Sequence, residues 1–115
     1  MRTTQKKGDF AVATAIAKFT EMGIDVSIPL TESAAYDIVV DDNGTMQRVQ
    51  VRFSKSNDVE LRRIHSNSQG YVINKTKKNA YDWLYVFQPD GKSYLIKECF
   101  SGRRAIRLKE EYLIK

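Results

Sequence analysis

The chain has 115 residues, 42% of them hydrophobic and 29% charged, the balance of one ordinary globular domain, so a single domain over 1–115 is expected. No apolar run approaches the roughly 20 residues that span a bilayer, and residues 1–7 lead into no signal-peptide core; a soluble, cytoplasmic protein with no membrane partner is expected. The net charge of +5 favours anionic partners, and a single cysteine, Cys99, with a single histidine, His65, excludes an internal disulfide and a Cys/His zinc site.

The first segment predicts a helix of about four turns. Thr3 or Thr4 can cap its start, and Gly23 supplies the left-handed residue that commonly ends a helix. Val12, Ala15, Ile16, Phe19 and Met22 recur at three- and four-residue steps, which puts them on one face. A short strand is expected over 26–30 with Pro29 near its end, where a missing N–H does little harm. Stronger strands are expected over 36–41 and 45–53, the second alternating Val49, Val51 and Phe53 with Arg48, Gln50 and Arg52.

Asn43-Gly44 between these strands tolerates the positive φ angles of a two-residue type I′ turn. Asp42 then faces Thr45, every facing pair has the same sum of residue numbers, and Asp37 falls opposite Gln50. A longer turn would shift that register. Because side chains alternate along a strand, Gln50 and Arg52 share a face with Asp37, while Ile38, Val40, Val49 and Val51 supply the core on the other.

Residues 54–70 are polar and read as loops around a short strand over 59–64, followed by a modest strand over 71–74. A second hairpin is expected over 81–88 and 93–97 around Pro89-Asp90-Gly91. The tail, 103–115, fits strand or helix equally. Charge is uneven along the chain: residues 1–60 carry seven Lys/Arg and nine Asp/Glu, residues 61–115 twelve and five. The basic surface is therefore concentrated late, although a basic surplus also serves solubility alone.

Several segments carry a resemblance. Gly8-Asp9-Phe10-Ala11-Val12-Ala13, Ile28-Pro29-Leu30, Ala35-Tyr36-Asp37-Ile38-Val39-Val40-Asp41 and Arg48-Val49-Gln50-Val51-Arg52 resemble the PD-(D/E)xK nuclease superfamily. They are closest in pattern to its bacterial intron-encoded homing endonuclease branch, where glutamine replaces the usual second acid. The likeness continues through Asp82-Trp83-Leu84-Tyr85-Val86-Phe87 and Tyr94-Leu95-Ile96. It implies an α/β, restriction-endonuclease-like fold, with the N-terminal helix packed on a central mixed sheet. It also implies Mg²⁺-dependent hydrolysis of phosphodiester bonds in double-stranded DNA by an activated water.

By this resemblance the metal-binding aspartate falls on Asp37, the glutamine on Gln50 and the basic residue on Arg52, which makes Asp37, Gln50 and Arg52 the candidate catalytic set and Asp37 and Gln50 the metal ligands. Two positions depart from the family pattern. The helix glutamate falls on Val12, which offers no ligand, and the family's lysine is replaced by Arg52, a permanent cation with a wider, planar head and no capacity to accept a proton. One carboxylate, one amide and one guanidinium sum to a formal charge near zero, a weak trap for a divalent ion. Three outcomes stay open: a weakened nuclease using another acid such as Asp9, a DNA binder that has lost cleavage, or a chain altered to prevent cutting. Read from the residues alone, Asp37 and Gln50 are first an ordinary cross-strand polar pair, and Arg52 a salt-bridge partner for Asp37; it is the resemblance that favours the site.

Lys55, Arg62, Arg63, Lys75, Lys77 and Lys78 are the candidate DNA-binding residues, carried on polar stretches that can track a phosphate backbone. A solvated basic loop explains any one of them equally well. His65 reads first as a surface histidine, Cys99 as a reduced structural thiol, and Trp83, Tyr85 and Phe87 as core or interface anchors rather than stacking platforms. A double-strand break needs two cuts, so a homo-oligomer is expected, with 83–87 or Tyr112-Leu113-Ile114 as candidate interfaces. The rival from another class is a non-catalytic DNA-binding or regulatory module on a degenerate nuclease fold; a protein-interaction domain is the third.

Overall fold

A computed structural model describes residues 4–31, 33–67 and 70–115. Helix α1 runs over Thr4–Glu21. Thr3, one of the two expected caps, lies outside the described residues. The C-terminal stop is a Schellman arrangement: the Ile24 N–H donates to the Phe19 carbonyl at 2.9 Å and the Gly23 N–H to the Thr20 carbonyl at 3.0 Å. Closing both bonds requires a left-handed residue, and Gly23 sits at φ 79°. The buried stripe of α1 is Ala11, Ala15 and Phe19, with Val12 and Ile16 at its edge. Met22, expected on that stripe, is 45% exposed because it lies at the end of the helix, where the chain turns into the cap.

The stripe packs on a five-stranded mixed sheet built from β1 (Val26–Ser27), β2 (Ile38–Asp42), β3 (Thr45–Phe53), β7 (Trp83–Phe87) and β8 (Ser93–Ile96), in that spatial order. All neighbours are antiparallel except β3 and β7. The β2–β3 register follows the turn arithmetic: Asp42 faces Thr45 and Ile38 faces Val49. Asn43 at φ 52° and Gly44 at φ 92° form the tight turn, and the Asp41 carboxylate accepts the Gly44 N–H at 2.7 Å. The first strand is shorter than expected. β1 ends at Ser27, and Ile28 and Leu30 on either side of Pro29 are 68% and 100% exposed, since proline offers no N–H to extend a ladder.

Both faces of the sheet are covered. On the helix side Ile38, Val40, Val49, Val51, Trp83, Tyr85 and Phe87 meet α1. The other side carries Leu84, Val86, Tyr94 and Ile96 beneath Val59, Leu61, Tyr81, Phe100, Ile106 and Leu108. This second layer is built by β4 (Asp58–Glu60) pairing antiparallel with β9 (Ala105–Arg107). The tail therefore contains both a strand and a short 3-10 helix, Glu110–Tyr112. With layers on both sides, every residue of β7 is buried, as expected for a central strand with a parallel neighbour. That burial removes 83–87 as a subunit interface. The strand expected over 59–64 is divided into β4 and β5 (Arg63–Asn67), and the strand expected over 71–74 is β6 (Gly70–Asn74), which pairs with β5 in a separate two-stranded ribbon.

The parallel β3–β7 pair is tied at its start by Arg48 and Asp82. The Asp82 N–H donates to the Arg48 carbonyl at 2.8 Å. The carboxylate in turn accepts the Arg48 N–H at 2.8 Å, Nε at 3.0 Å and Nη2 at 3.1 Å. Arg48 Nη1 reaches the Asn79 carbonyl at 2.8 Å, and the guanidinium lies 5.8 Å from the centre of the Tyr36 ring. The Arg48 hydrogen bonds hold the Asp82 carboxyl below its ordinary value of 3.8. A carboxyl lowered on folding stabilises the fold above its unfolded pKa and loses that contribution as pH falls through the folded one. Urea unfolding of Asp82→Asn should therefore show a deficit against the parent at pH 7 that shrinks steadily below about pH 4. A deficit independent of pH would deny the ion pair this role.

Candidate nuclease site

Asp37 sits immediately before β2. Its N–H donates to the Val49 carbonyl at 2.9 Å, extending the β2–β3 ladder by one residue. Its Oδ2 accepts the Val51 backbone N–H at 2.8 Å and Gln50 Nε2 at 3.2 Å. The expected facing of Asp37 and Gln50 is thus met by a direct contact, and Gln50 is 93% withdrawn from solvent, at 7% exposure. A glutamine amide buried to that degree needs partners; Nε2 also approaches the Val51 carbonyl at 3.5 Å.

Arg52, two residues further along β3, shares the Gln50 side by strand alternation. Its Nη2 donates to the Leu61 carbonyl at 3.1 Å, which ties the central strand to the segment between β4 and β5. Gln50 and Arg52 open onto a cleft of about 310 Å³ whose walls include Leu61, Lys75, Lys77 and Tyr81. Thr76 Oγ1 lies 3.5 Å from the same Leu61 carbonyl. Tyr81 is 97% buried; its Oη accepts the Phe100 N–H at 3.3 Å, and burial pushes the phenol above its ordinary pKa. Strand pattern alone placed Tyr81 at the start of β7 and did not mark it as a cleft wall. The signal that could have found it is a tyrosine one residue ahead of Asp82, at the edge of a buried run.

The other sequence candidates divide. Lys75 and Lys77 meet the cleft, while Lys78 is exposed beside it in sequence and does not line it. Arg62 is held by Glu60, with Nε at 2.6 Å from Oε1 and Nη2 at 3.3 Å from Oε2, and that pairing draws the Glu60 carboxyl below its ordinary range. Arg63 and His65 lie on β5, and their side chains fall outside the described residues. Lys55 lies at a different concavity, beside Lys7. Asp9, the alternative acid, is exposed on α1 and accepts Gln5 Nε2 at 3.1 Å. Val12 packs against the helix-side core. Among the described residues no three acidic, histidine or cysteine side chains gather into a metal cluster, and no helix is long and apolar enough to cross a membrane.

A helix laid over one face of a mixed sheet, with an aspartate at the strand entry and a glutamine and a cation on the strand beside it, defines a restriction-endonuclease-like α/β fold. The chain belongs to the PD-(D/E)XK endonuclease family, whose model matches residues 2–112. Members of this family generally use divalent metal ions. Among solved structures the chain is similar to a bacterial homing endonuclease, I-Ssp6803I, with 28% sequence identity and a TM-score of 0.79 over 94% of this chain and 79% of that one. No curated protein matches it.

Proposed function

We propose that this chain is a double-stranded DNA-binding member of its endonuclease family, of the homing or restriction type, whose Mg²⁺-dependent cleavage is weakened. The observation that carries the reading is the Asp37–Gln50 contact at 3.2 Å, with Gln50 and Arg52 lining a cleft that Lys75 and Lys77 also line. The donor set is one carboxylate and one amide. That set fits Mg²⁺, a hard cation that takes one or two carboxylates, retains several waters and uses substrate phosphate oxygens for the remainder. Asp37 and Gln50 would hold it; when bound it supplies an acidified water and neutralises phosphate charge.

The chain's own groups do the rest. Lys75 and Lys77 attract the backbone, and Arg52 offsets charge on the phosphate undergoing attack. Arg52 remains protonated throughout and so holds a charge without moving a proton. Val12 supplies no second carboxylate. A site with one acid binds its metal weakly until the phosphate arrives, which accounts for binding that outlasts efficient cutting.

Supercoiled plasmid incubated with Mg²⁺ should be nicked slowly, and the nicking should vanish in Asp37→Ala while duplex affinity persists. Duplex binding should weaken with salt, and removing Lys75 or Lys77 should reduce the log–log salt slope by about 0.9 each. Absence of duplex binding at low salt would end this reading. Binding without any nicking favours the second one, a non-catalytic DNA-binding protein, for which Arg52 fastened to the Leu61 carbonyl and Val12 packed into the core are the supporting observations. One site per protomer and two strands to cut favour a homo-oligomer. Light scattering at high micromolar concentration should then give a mass above one chain.

A further inference from the structure

The second concavity of the molecule lies on the helix side of the sheet, away from Gln50 and Arg52. It forms where the parallel pair ends: Phe53 faces Phe87, the Ser54 N–H donates to the Phe87 carbonyl at 3.0 Å, and the chain turns to Lys55. Its lining is Lys7, Phe10, Phe53, Lys55, Phe87 and Pro89, around about 370 Å³. The three phenylalanine rings form a chain, Phe10 to Phe87 at 5.5 Å and Phe53 to Phe87 at 6.2 Å between centroids. Lys7 Nζ lies 5.8 Å from the centre of the Phe53 ring.

Two features distinguish this place from a solvated basic surface. Lys7 and Lys55 approach each other closely enough for the Lys55 ammonium to hold the Lys7 amine below its ordinary pKa. No carboxylate lines the concavity, and among the described residues neither lysine takes part in an ion pair. Two cations brought together without a counter-charge are relieved by an anion bound between them. Beside them Phe10 is 48% exposed, which leaves about half of the side chain open to solvent.

We infer that this concavity is a single-stranded DNA site, with a phosphate between Lys7 and Lys55 and an unpaired base stacked on Phe10. A duplex offers the same phosphates, but its bases are already stacked and leave the Phe10 face unused. An unpaired strand presents both groups at once, and lysines interleaved with exposed aromatic rings are the chemistry that holds it without sequence preference. The site shares no lining residue with the Gln50–Arg52 cleft, so it stands whether or not that cleft cuts DNA.

Fluorescence anisotropy with labelled oligo(dT) and with a labelled duplex, on the full chain, tests it. Phe10→Ala should lower oligo(dT) affinity roughly 5- to 150-fold, the range of one lost base–aromatic stack, and leave duplex affinity within about twofold, while Phe10→Trp should retain oligo(dT) binding. Lys7→Gln should reduce the salt slope for oligo(dT) by about 0.7, one phosphate contact on a single strand. Because Phe10 is half exposed, its variants keep the fold, checked by circular dichroism. Unchanged oligo(dT) affinity in Phe10→Ala overturns the proposal, as does equal loss on both probes. A fall in oligomer mass with oligo(dT) binding intact also overturns it and gives this face to a second copy of the chain.

Discussion

Val12→Glu combined with Arg52→Lys should raise Mg²⁺-dependent plasmid nicking on the order of 10²-fold, the scale on which one well-placed charged or hydrogen-bonding group changes a transition state. By the family resemblance position 12 is where the second acid belongs, so the glutamate tests whether the helix-side layer can deliver a carboxylate to the Asp37–Gln50 pair, and the lysine concentrates the charge of the basic residue into a compact ammonium. The same Mg²⁺ titration on the Asp37→Ala background of the double variant should return nicking to baseline, because that background removes the carboxylate assigned to the metal. Each substitution has a structural cost. Val12 packs against the helix-side core, and a carboxylate drawn into such surroundings without a compensating partner is unfavourable by several kcal/mol. Arg52→Lys gives up the hydrogen bond from Nη2 to the Leu61 carbonyl, on the order of 1.5–3 kcal/mol for a charged donor. Urea unfolding of the double variant distinguishes the alternatives. No gain in a variant that still unfolds cooperatively and still binds duplex would mean that Val12 and Arg52 are not the positions at which chemistry was lost.

The site was legible in the sequence to the extent that it is local. Asn43-Gly44 dictates a turn, the turn dictates a register, and the register brings Asp37 to Gln50 across 13 positions without any knowledge of the remaining chain. The walls of the cleft are another matter. Lys75, Lys77 and Tyr81 reach Gln50 and Arg52 only because β7 returns parallel to β3, and a parallel neighbour is set by a long crossover, not by a turn. Arg48 and Asp82, 34 residues apart, fix that crossover at its end. Neither residue announces the pairing by its own neighbours, since each looks like an ordinary charge flanking a strand.

Much of the fold was legible for the same reason. The helix, the first hairpin and the second hairpin each follow from periodicity and a Gly or Pro signal. The β4–β9 pair is different: Val59 meets Ile106 across most of the second half of the chain, and three-residue strands are too short for alternation to be visible. Its partner layer explains why Leu84 and Val86 are buried as deeply as Tyr85. Strands over 59–64 and 71–74 are expected from the sequence, but the extent and pairing of β5 and β6 are obscured by composition, because Ser, Asn and Gly around residues 66–70 read as loop while the backbone pairs Arg63 with Asn74 and Asn67 with Gly70. The ribbon forms its own two-stranded sheet, apart from the five-stranded one.

Phe19→Ala should be the most damaging single substitution in the helix, costing about 3–5 kcal/mol. Phe19 is fully buried, its ring stacked near Trp83 at 6.4 Å and tilted against Tyr85 at 5.7 Å between centroids. It is the one large side chain of α1 that reaches the centre of the sheet, since the other fully buried positions on that stripe are Ala11 and Ala15. An alanine there leaves a void bounded by two aromatic rings held on β7, whose other face is already packed and cannot move to fill it. The backbone at the same residue also closes the helix stop, its carbonyl accepting the Ile24 N–H, but that bond survives the substitution, so the loss reports packing alone. A cost of this size is a large part of the roughly 5–15 kcal/mol that holds a small domain together. Equilibrium urea unfolding should show a lower midpoint with an unchanged slope. A cost below about 1.5 kcal/mol, the scale of a volume-conserving exchange, would mean that α1 does not rest on the sheet through this ring. The comparison variant is Phe10→Ala, on the same helix but half exposed. It removes an equal volume of side chain and should move the midpoint far less, because most of its cavity is filled by water.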